Sequence, residues 1–142
     1  MILTDVNVLL YAFREAAPGH ERYREWLLNQ VNGAEAFGLS ELVLSGAMRV
    51  LTHPRVFSPP TPTSAALEYL EALRGAPNCV LVQPGARHWE IFARLCVTAN
   101  AKGNLVADAY LAALAIEHGC EWITTDRDFA RFPGLRWRHP LD

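Results

Sequence analysis

The chain has 142 residues, 51% of them hydrophobic, and a formal net charge of -2. That length suits one domain with a sizeable core and is short for two, and the apolar share excludes a disordered chain. The near-neutral charge excludes a global basic field that would advertise nucleic-acid binding. Of the 13 basic residues, Lys102 is the only lysine and the rest are arginine. Arginine is the better phosphate fork, and a GC-rich genome gives the same bias, so both readings stand.

Met1 to Thr4 predicts a short buried strand, and Val8 to Phe13, apolar all round, a short helix behind it. Pro18-Gly19 breaks that segment. From His20 to Val31, Tyr23, Trp26, Leu27 and Val31 recur at helical spacing, with Glu21, Arg22, Arg24 and Glu25 facing outward. Asn32-Gly33 ends this helix. Ala34 to Gly38 predicts a second strand. Ser40 is a good N-cap, which makes Glu41 the first residue of a helix that stops at His53-Pro54. Phe57 to Pro62 holds three prolines and reads as a loop. Thr63 to Leu73 predicts a helix, Cys79 to Val82 a third strand, Arg87 to Ala99 a helix, and Leu105 to Glu117 a very apolar helix capped at His118-Gly119. Glu121 to Thr124 predicts a fourth strand and Leu135 to Trp137 an edge strand. Strands alternating with helices favour an α/β fold with a mainly parallel sheet of four to five strands and helices on both faces, residues 1–142 forming a single domain.

Cys79, Cys96 and Cys120 are widely spaced and odd in number, with no C-x-x-C pair. They read as reduced thiols of a cytoplasmic protein, not as a zinc site. No basic segment followed by a long apolar one opens the chain, and no apolar run approaches membrane-spanning length.

Four acids sit at the ends of apolar segments: Asp5, Glu41, Asp108 and Asp126. A buried carboxylate is costly unless its charge is compensated. Each taken singly has a simpler explanation. Asp5 and Asp126 can cap turns, and Glu41 is a first-turn acid favoured by the helix dipole. Asp108 is the hardest to dismiss, because Leu105, Val106, Ala109, Leu111 and Ala112 leave its helix almost no polar face. In a parallel sheet, ligands bind beyond the carboxyl ends of the strands, and Asp5, Glu41 and Asp126 each follow a predicted strand. Their joint pattern predicts convergence at one edge. Mg²⁺ or Mn²⁺ would relieve the mutual repulsion of such a cluster and carry waters that can attack a phosphodiester. No Ser-His-Asp or Cys-His constellation and no G-x-x-x-x-G-K-[ST] loop competes.

These residues resemble those of the PIN-domain ribonucleases and, within them, the VapC toxins of toxin–antitoxin pairs. The resemblance covers nearly the whole chain. It rests on Leu3-Thr4-Asp5-Val6-Asn7-Val8-Leu9-Leu10-Tyr11, on Ser40-Glu41 opening a helix that leads to Arg49-Val50-Leu51-Thr52-His53-Pro54-Arg55, on Asp108-Ala109-Tyr110-Leu111, and on Thr124-Thr125-Asp126-Arg127-Asp128-Phe129. It implies a three-layer α/β/α domain whose acidic pocket binds Mg²⁺ or Mn²⁺ and cleaves RNA, with tRNA and rRNA as candidate substrates. Asp5, Glu41, Asp108 and Asp126 match the family's acidic quartet, and Asp5 and Asp108 its direct metal ligands. Asn7 matches the polar residue after the first aspartate, Thr125 the hydroxyl before the last, and Asp128 is an extra acid on the same turn. Val6 departs from the family pattern, which often has Thr or Ser there.

An acidic pocket repels phosphate, so basic residues must rim it. Arg49, His53 and Arg55 follow the Glu41 helix, and Arg127 and Arg131 follow Asp126; each competes with the reading of an ordinary surface charge. Trp26, Trp89, Trp122 and Trp137 sit on apolar stripes and read as core or interface. The resemblance also implies a homodimer, assembled as a heterotetramer or larger complex with a small antitoxin that lays a helix or tail across the groove and inserts a basic side chain among the acids. Val56, Phe57 and Tyr69 are candidate contacts for it. Two other readings are an aspartate-nucleophile phosphatase, disfavoured by Asn7 where a second aspartate is usual, and a metal-independent module that binds a basic partner tail.

Overall fold

The computed structural model describes residues 1–142 as five strands and six α-helices in the order β1 (Ile2–Thr4), α1 (Val6–Phe13), α2 (His20–Val31), β2 (Phe37–Leu39), α3 (Glu41–Leu51), α4 (Thr63–Arg74), β3 (Cys79–Leu81), α5 (His88–Thr98), α6 (Asn104–Glu117), β4 (Glu121–Ile123) and β5 (Trp137–Arg138). A short 3-10 helix, Arg127–Arg131, joins β4 to β5. The sheet order is β3-β2-β1-β4-β5, and every pairing is parallel. The sheet is therefore wholly parallel, a sharper result than the mainly parallel one expected.

The chain walks from β1 to β2 to β3 in one direction and then returns to place β4 on the other side of β1. Right-handed crossovers then put α1 to α4 on one face and α5 with α6 on the other. The packing agrees: α1 meets α2 and α3, α3 meets α4, and α5 packs along α6. The three-layer α/β/α arrangement follows. The reversal of direction lies between β1 and β4, where an open parallel sheet splays its loops apart and leaves a crevice.

Local chemistry sets most boundaries. Helix α1 starts two residues earlier than expected, because the Asp5 carboxylate caps it by accepting from Val6 N at 2.7 Å. Ser40 caps α3 as expected, accepting from Leu42 N at 3.2 Å. Strand β2 falls later than the apolar run Ala34–Gly38 predicted, since the pairing of Phe37, Gly38 and Leu39 with Cys79, Val80 and Leu81 defines it. Gly38 must stay bare there: an added Cβ would stand 2.9 Å from the Ile2 carbonyl. The edge strand is likewise later, at Trp137–Arg138.

The core is one continuous cluster in which Leu3, Leu9, Leu39, Trp122 and Ile123 are fully buried. The proline-containing loop is tied down by Arg14, whose Nη1 donates to Pro59 O and Thr61 Oγ1, both at 3.2 Å, while its guanidinium lies 4.2 Å from the centre of the Phe57 ring. All three cysteines are free. No helix is long and apolar enough to cross a membrane.

Candidate active site

Asp5 leaves the carboxyl end of β1, and its backbone N donates to Ile123 O at 2.9 Å at the matching end of β4. Burial follows, at 6% exposure. Its carboxylate is held on both oxygens: Oδ1 by Val6 N and Oδ2 by Thr124 Oγ1 at 2.6 Å. Burial raises the pKa of Asp5; the hydrogen bonds from Thr124 and Val6 pull it down, and the charge of Asp126 raises it further.

Asp126 caps the 3-10 helix. Its Oδ1 accepts from Asp128 N at 2.9 Å, and its own backbone N donates to Thr124 Oγ1 at 3.0 Å. Thr124, fully buried, thus joins the two acids through one hydroxyl. Asp108 stands half-buried on the second turn of α6. Its pKa is pushed up to about 6, first by burial and then by the charges of Asp126, Asp5 and Asp128. Asp5, Asp108, Asp126 and Asp128, from three distant segments, therefore share one electrostatic field.

Glu41 is placed differently. It opens α3 at the same sheet edge, yet it is exposed and its Oε2 accepts from Arg74 Nε at 3.2 Å. It is absent from the charges acting on Asp5 and Asp108. Asp128 takes its place in the field, although exposed.

The donor set suits a hard divalent cation. It is made of carboxylate oxygens that repel one another and that burial makes costly to ionise, and added positive charge would offset both effects. As the side chains stand, no three of the acids approach closely enough to ligate one ion together. Mg²⁺ commonly keeps several waters and takes only one or two carboxylates directly, so Asp5 and Asp108 would suffice as direct ligands.

Asn7 and Thr125 are half-buried, and the hydroxyl that engages the acids belongs to Thr124, not Thr125. Past Ile123 the strand alternation puts residues 124 and 125 on opposite sides, and only the β1–β4 register reveals which side meets Asp5. The basic residues Arg49, Arg55, Arg127 and Arg131 are all exposed, and of these Arg49 lines a groove that Glu41 also lines. His53 Nδ1 accepts from Arg55 N at 3.0 Å, closing a turn. The Tyr69 hydroxyl is committed inward, donating to Leu9 O at 2.8 Å, and burial raises its pKa strongly. Trp89 is 71% exposed, unlike the fully buried Trp122.

The groove lies against the acids. It encloses about 1050 Å³ between α3, α5 and α6, and Val6, Glu41 and Ala107 line it, one of the acids and the chain neighbours of two more.

Comparison with known proteins agrees with this architecture. Residues 2–135 match the PIN domain. The VapC ribonuclease Mb2897 of Mycobacterium bovis is 46% identical over 142 residues, spanning 100% of this chain and 97% of that protein. Ribonuclease VapC25 of Mycobacterium tuberculosis is 39% identical, with 99% of each covered. Among solved structures, VapBC2 from Rickettsia felis bound to a promoter DNA fragment superposes with a TM-score of 0.73 at 18% identity, covering 98% of each chain. FitAcB from Neisseria gonorrhoeae gives 0.69 at 21% identity, covering 99% of this chain and 98% of that one. With its sheet order and these relatives in agreement, the chain belongs to the PIN-domain family, in its VapC group.

Proposed function

We propose that the protein is a Mg²⁺- or Mn²⁺-dependent endoribonuclease, the toxin of a toxin–antitoxin pair, hydrolysing RNA phosphodiester bonds at a site built from Asp5, Glu41, Asp108 and Asp126. The observation that carries this reading is the buried Asp5 carboxylate tied through the Thr124 hydroxyl to the turn that carries Asp126, with Asp108 pushed up to about 6 by burial and by the charges of Asp126, Asp5 and Asp128. Acids that raise one another's pKa at a sheet edge would be relieved by a cation, and perturbed carboxylates favour a chemical role. The names of the full-length relatives, VapC ribonucleases, support RNA as the substrate.

Asp5 and Asp108 are the direct ligands in this proposal. Mg²⁺ or Mn²⁺ in such a site supplies charge for the phosphodiester oxygens and acidifies water. Thr124 aims Asp5 and favours its ionised form by donating to one of its oxygens. Asp126, with Oδ1 occupied by Asp128 N, has Oδ2 left to orient a water or take its proton. Glu41 completes the acidic rim by turning from Arg74. Arg49, His53, Arg55, Arg127 and Arg131 offer phosphate contacts around that rim, and Asn7, Thr125 and Asp128 support it.

The partner follows from the same chemistry. Solved neighbours include VapBC toxin–antitoxin complexes. A basic antitoxin side chain among the acids would displace both metal and RNA, and Glu41 already accepts a guanidinium within its own chain. The protein would act in the cytoplasm as a homodimer, bound by antitoxin in a heterotetramer or larger assembly until released.

The test is RNA cleavage by purified protein with Mg²⁺ or Mn²⁺, wild type against Asp5→Asn and Asp108→Asn. Both substitutions should abolish cleavage, as should chelation. Undiminished cleavage in both variants would sink the mechanism.

A further inference from the structure

An aromatic staircase climbs from the surface of α5 into the groove beside the acids. Trp89, exposed, lies 5.3 Å from Phe92, centre to centre; Phe92 lies 5.6 Å from Tyr110, and His88 sits 4.3 Å from Tyr110 and 6.3 Å from Phe92. His88 is buried, and its Nε2 is 2.9 Å from Tyr110 O, which fixes the ring against α6. Phe92 and Tyr110 line the groove together with Val106, Val6, Glu41 and Arg49. The walls are thus half apolar and aromatic, with a charged residue of each sign on α3.

Arg49 is free to act there. The ion pairs of the chain join Arg74 to Glu41, His118 to Glu117 and Arg138 to Glu121, and Arg49 is in none of them. Val106 and Leu42 line the same groove at 37% and 51% exposure, an apolar surface left open to water.

From this geometry we infer that the groove is a base subsite: it receives an unpaired base of the RNA strand next to the phosphate being cut, with Phe92 and Tyr110 as its aromatic wall and Arg49 on the adjoining phosphate. The inference rests on the nuclease reading above and deepens it. Three features select this occupant. A nucleobase is flat, with apolar faces and polar edges, and aromatic side chains bind it without regard to sequence. The groove adjoins the segments that carry the acids: Glu41 lines it, and Val6 and Ala107 are chain neighbours of Asp5 and Asp108. A free guanidinium beside an apolar wall matches the alternation of phosphate and base along a single strand. A base inside a duplex has its faces stacked and its pairing edge filled, so the subsite admits only single-stranded or flipped-out residues.

The experiment uses the full chain carrying Asp108→Asn, to prevent cleavage, with Mg²⁺ present. A short fluorescein-labelled single-stranded RNA is titrated against an abasic ribose-phosphate strand of equal length and charge. The RNA should bind about tenfold or more tightly than the abasic strand. Phe92→Leu and Tyr110→Leu should erase that difference while leaving abasic-strand binding as it was, and Tyr110→Phe should restore it. Melting curves establish that each variant is folded, and the comparison between two strands on one protein removes any partial loss of active protein. Equal binding of both strands by the Asp108→Asn chain, with cleavage by the wild type intact, overturns the base subsite and leaves the nuclease reading standing. No binding of either strand and no cleavage by the wild type removes both. Leucine variants that keep the RNA preference but shift the protein from dimer to monomer in sedimentation make the groove a self-association surface, and the inference falls.

Discussion

Thr124 Oγ1 donates to Asp5 Oδ2 at 2.6 Å, linking residues 119 positions apart in the chain. The same oxygen accepts from Asp126 N, so the hydroxyl proton is directed at Asp5. One side chain therefore both opposes the burial that raises the pKa of Asp5 and anchors the start of the turn that carries a second carboxylate.

Thr124→Val keeps the shape of that side chain and removes the hydroxyl. A buried carboxylate loses a charge-assisted hydrogen bond, and Asp126 N loses its acceptor, so stability should fall by roughly 2–3 kcal/mol. Thr124→Ser keeps both bonds and should cost about 1 kcal/mol for the buried methyl. Urea denaturation measures the two. RNA cleavage should drop at least about tenfold in the valine variant alone; equal cleavage in both would separate Thr124 from the chemistry.

Metal-free protein should lose stability as pH rises from about 4 to about 6. Asp108 ionises at 3.8 when unfolded and at about 6 when folded. In that window the folded state holds more protons than the unfolded one, so ∂ΔG/∂pH is negative and the stabilisation present at low pH is lost as pH climbs through the folded value. Allowing for solvent screening of a half-exposed group, the effect is about 1 kcal/mol. Asp108→Asn should flatten this part of the curve. Carbon-13 NMR of the carboxyl groups should find one midpoint near 6, moving down when Mg²⁺ is added.

Mg²⁺ should raise the melting temperature of the wild type by linkage and should fail to do so in Asp5→Asn or Asp108→Asn. Differential scanning calorimetry with and without chelator gives the answer. An unchanged melting temperature in the wild type would argue against a resident cation and for a module that recognises a basic tail.

Glu41 and Arg74 form an exposed ion pair, and such a pair contributes between 0 and about 1 kcal/mol. Arg74→Ala should therefore be nearly neutral for folding and should not reduce cleavage, because it leaves Glu41 free to turn toward the other acids. Glu41→Gln should reduce cleavage by about tenfold or more. Cleavage that survives Glu41→Gln but fails in Asp128→Asn would transfer the fourth acidic role to Asp128.

Helices were the most legible part of the fold. Tyr23 and Leu27, Val43 and Ala47, Ile91 and Leu95 repeat at helical spacing, and all are buried. Cap chemistry at Ser40 was equally readable. The strands were harder, being two or three residues long and defined by their neighbours: Phe37–Leu39 exists as β2 because of its partners in β1 and β3. Asp5, Asp108 and Asp126 could be picked out because each is a charge at the end of an apolar stretch. Thr124 could not, since Thr124 and Thr125 are chemically alike and only the pairing of β4 with β1 tells them apart. The direction of the Glu41 side chain was also hidden, as it depends on Arg74, 33 residues away on another helix.

The hinge of the whole site is that β4 lies beside β1 in the sheet although the other strands and all six helices separate or follow them in sequence. A chain still emerging from the ribosome makes Asp5 first, then Asp108, and only afterwards Thr124 and Asp126. Until that last segment is out and has slotted in next to Ile2 and Leu3, Asp5 has neither its hydroxyl partner nor its neighbouring charge. A cell making this protein would thus be shielded from its own nascent chains: the translating ribosome would carry a harmless precursor, and the hazard would begin at release.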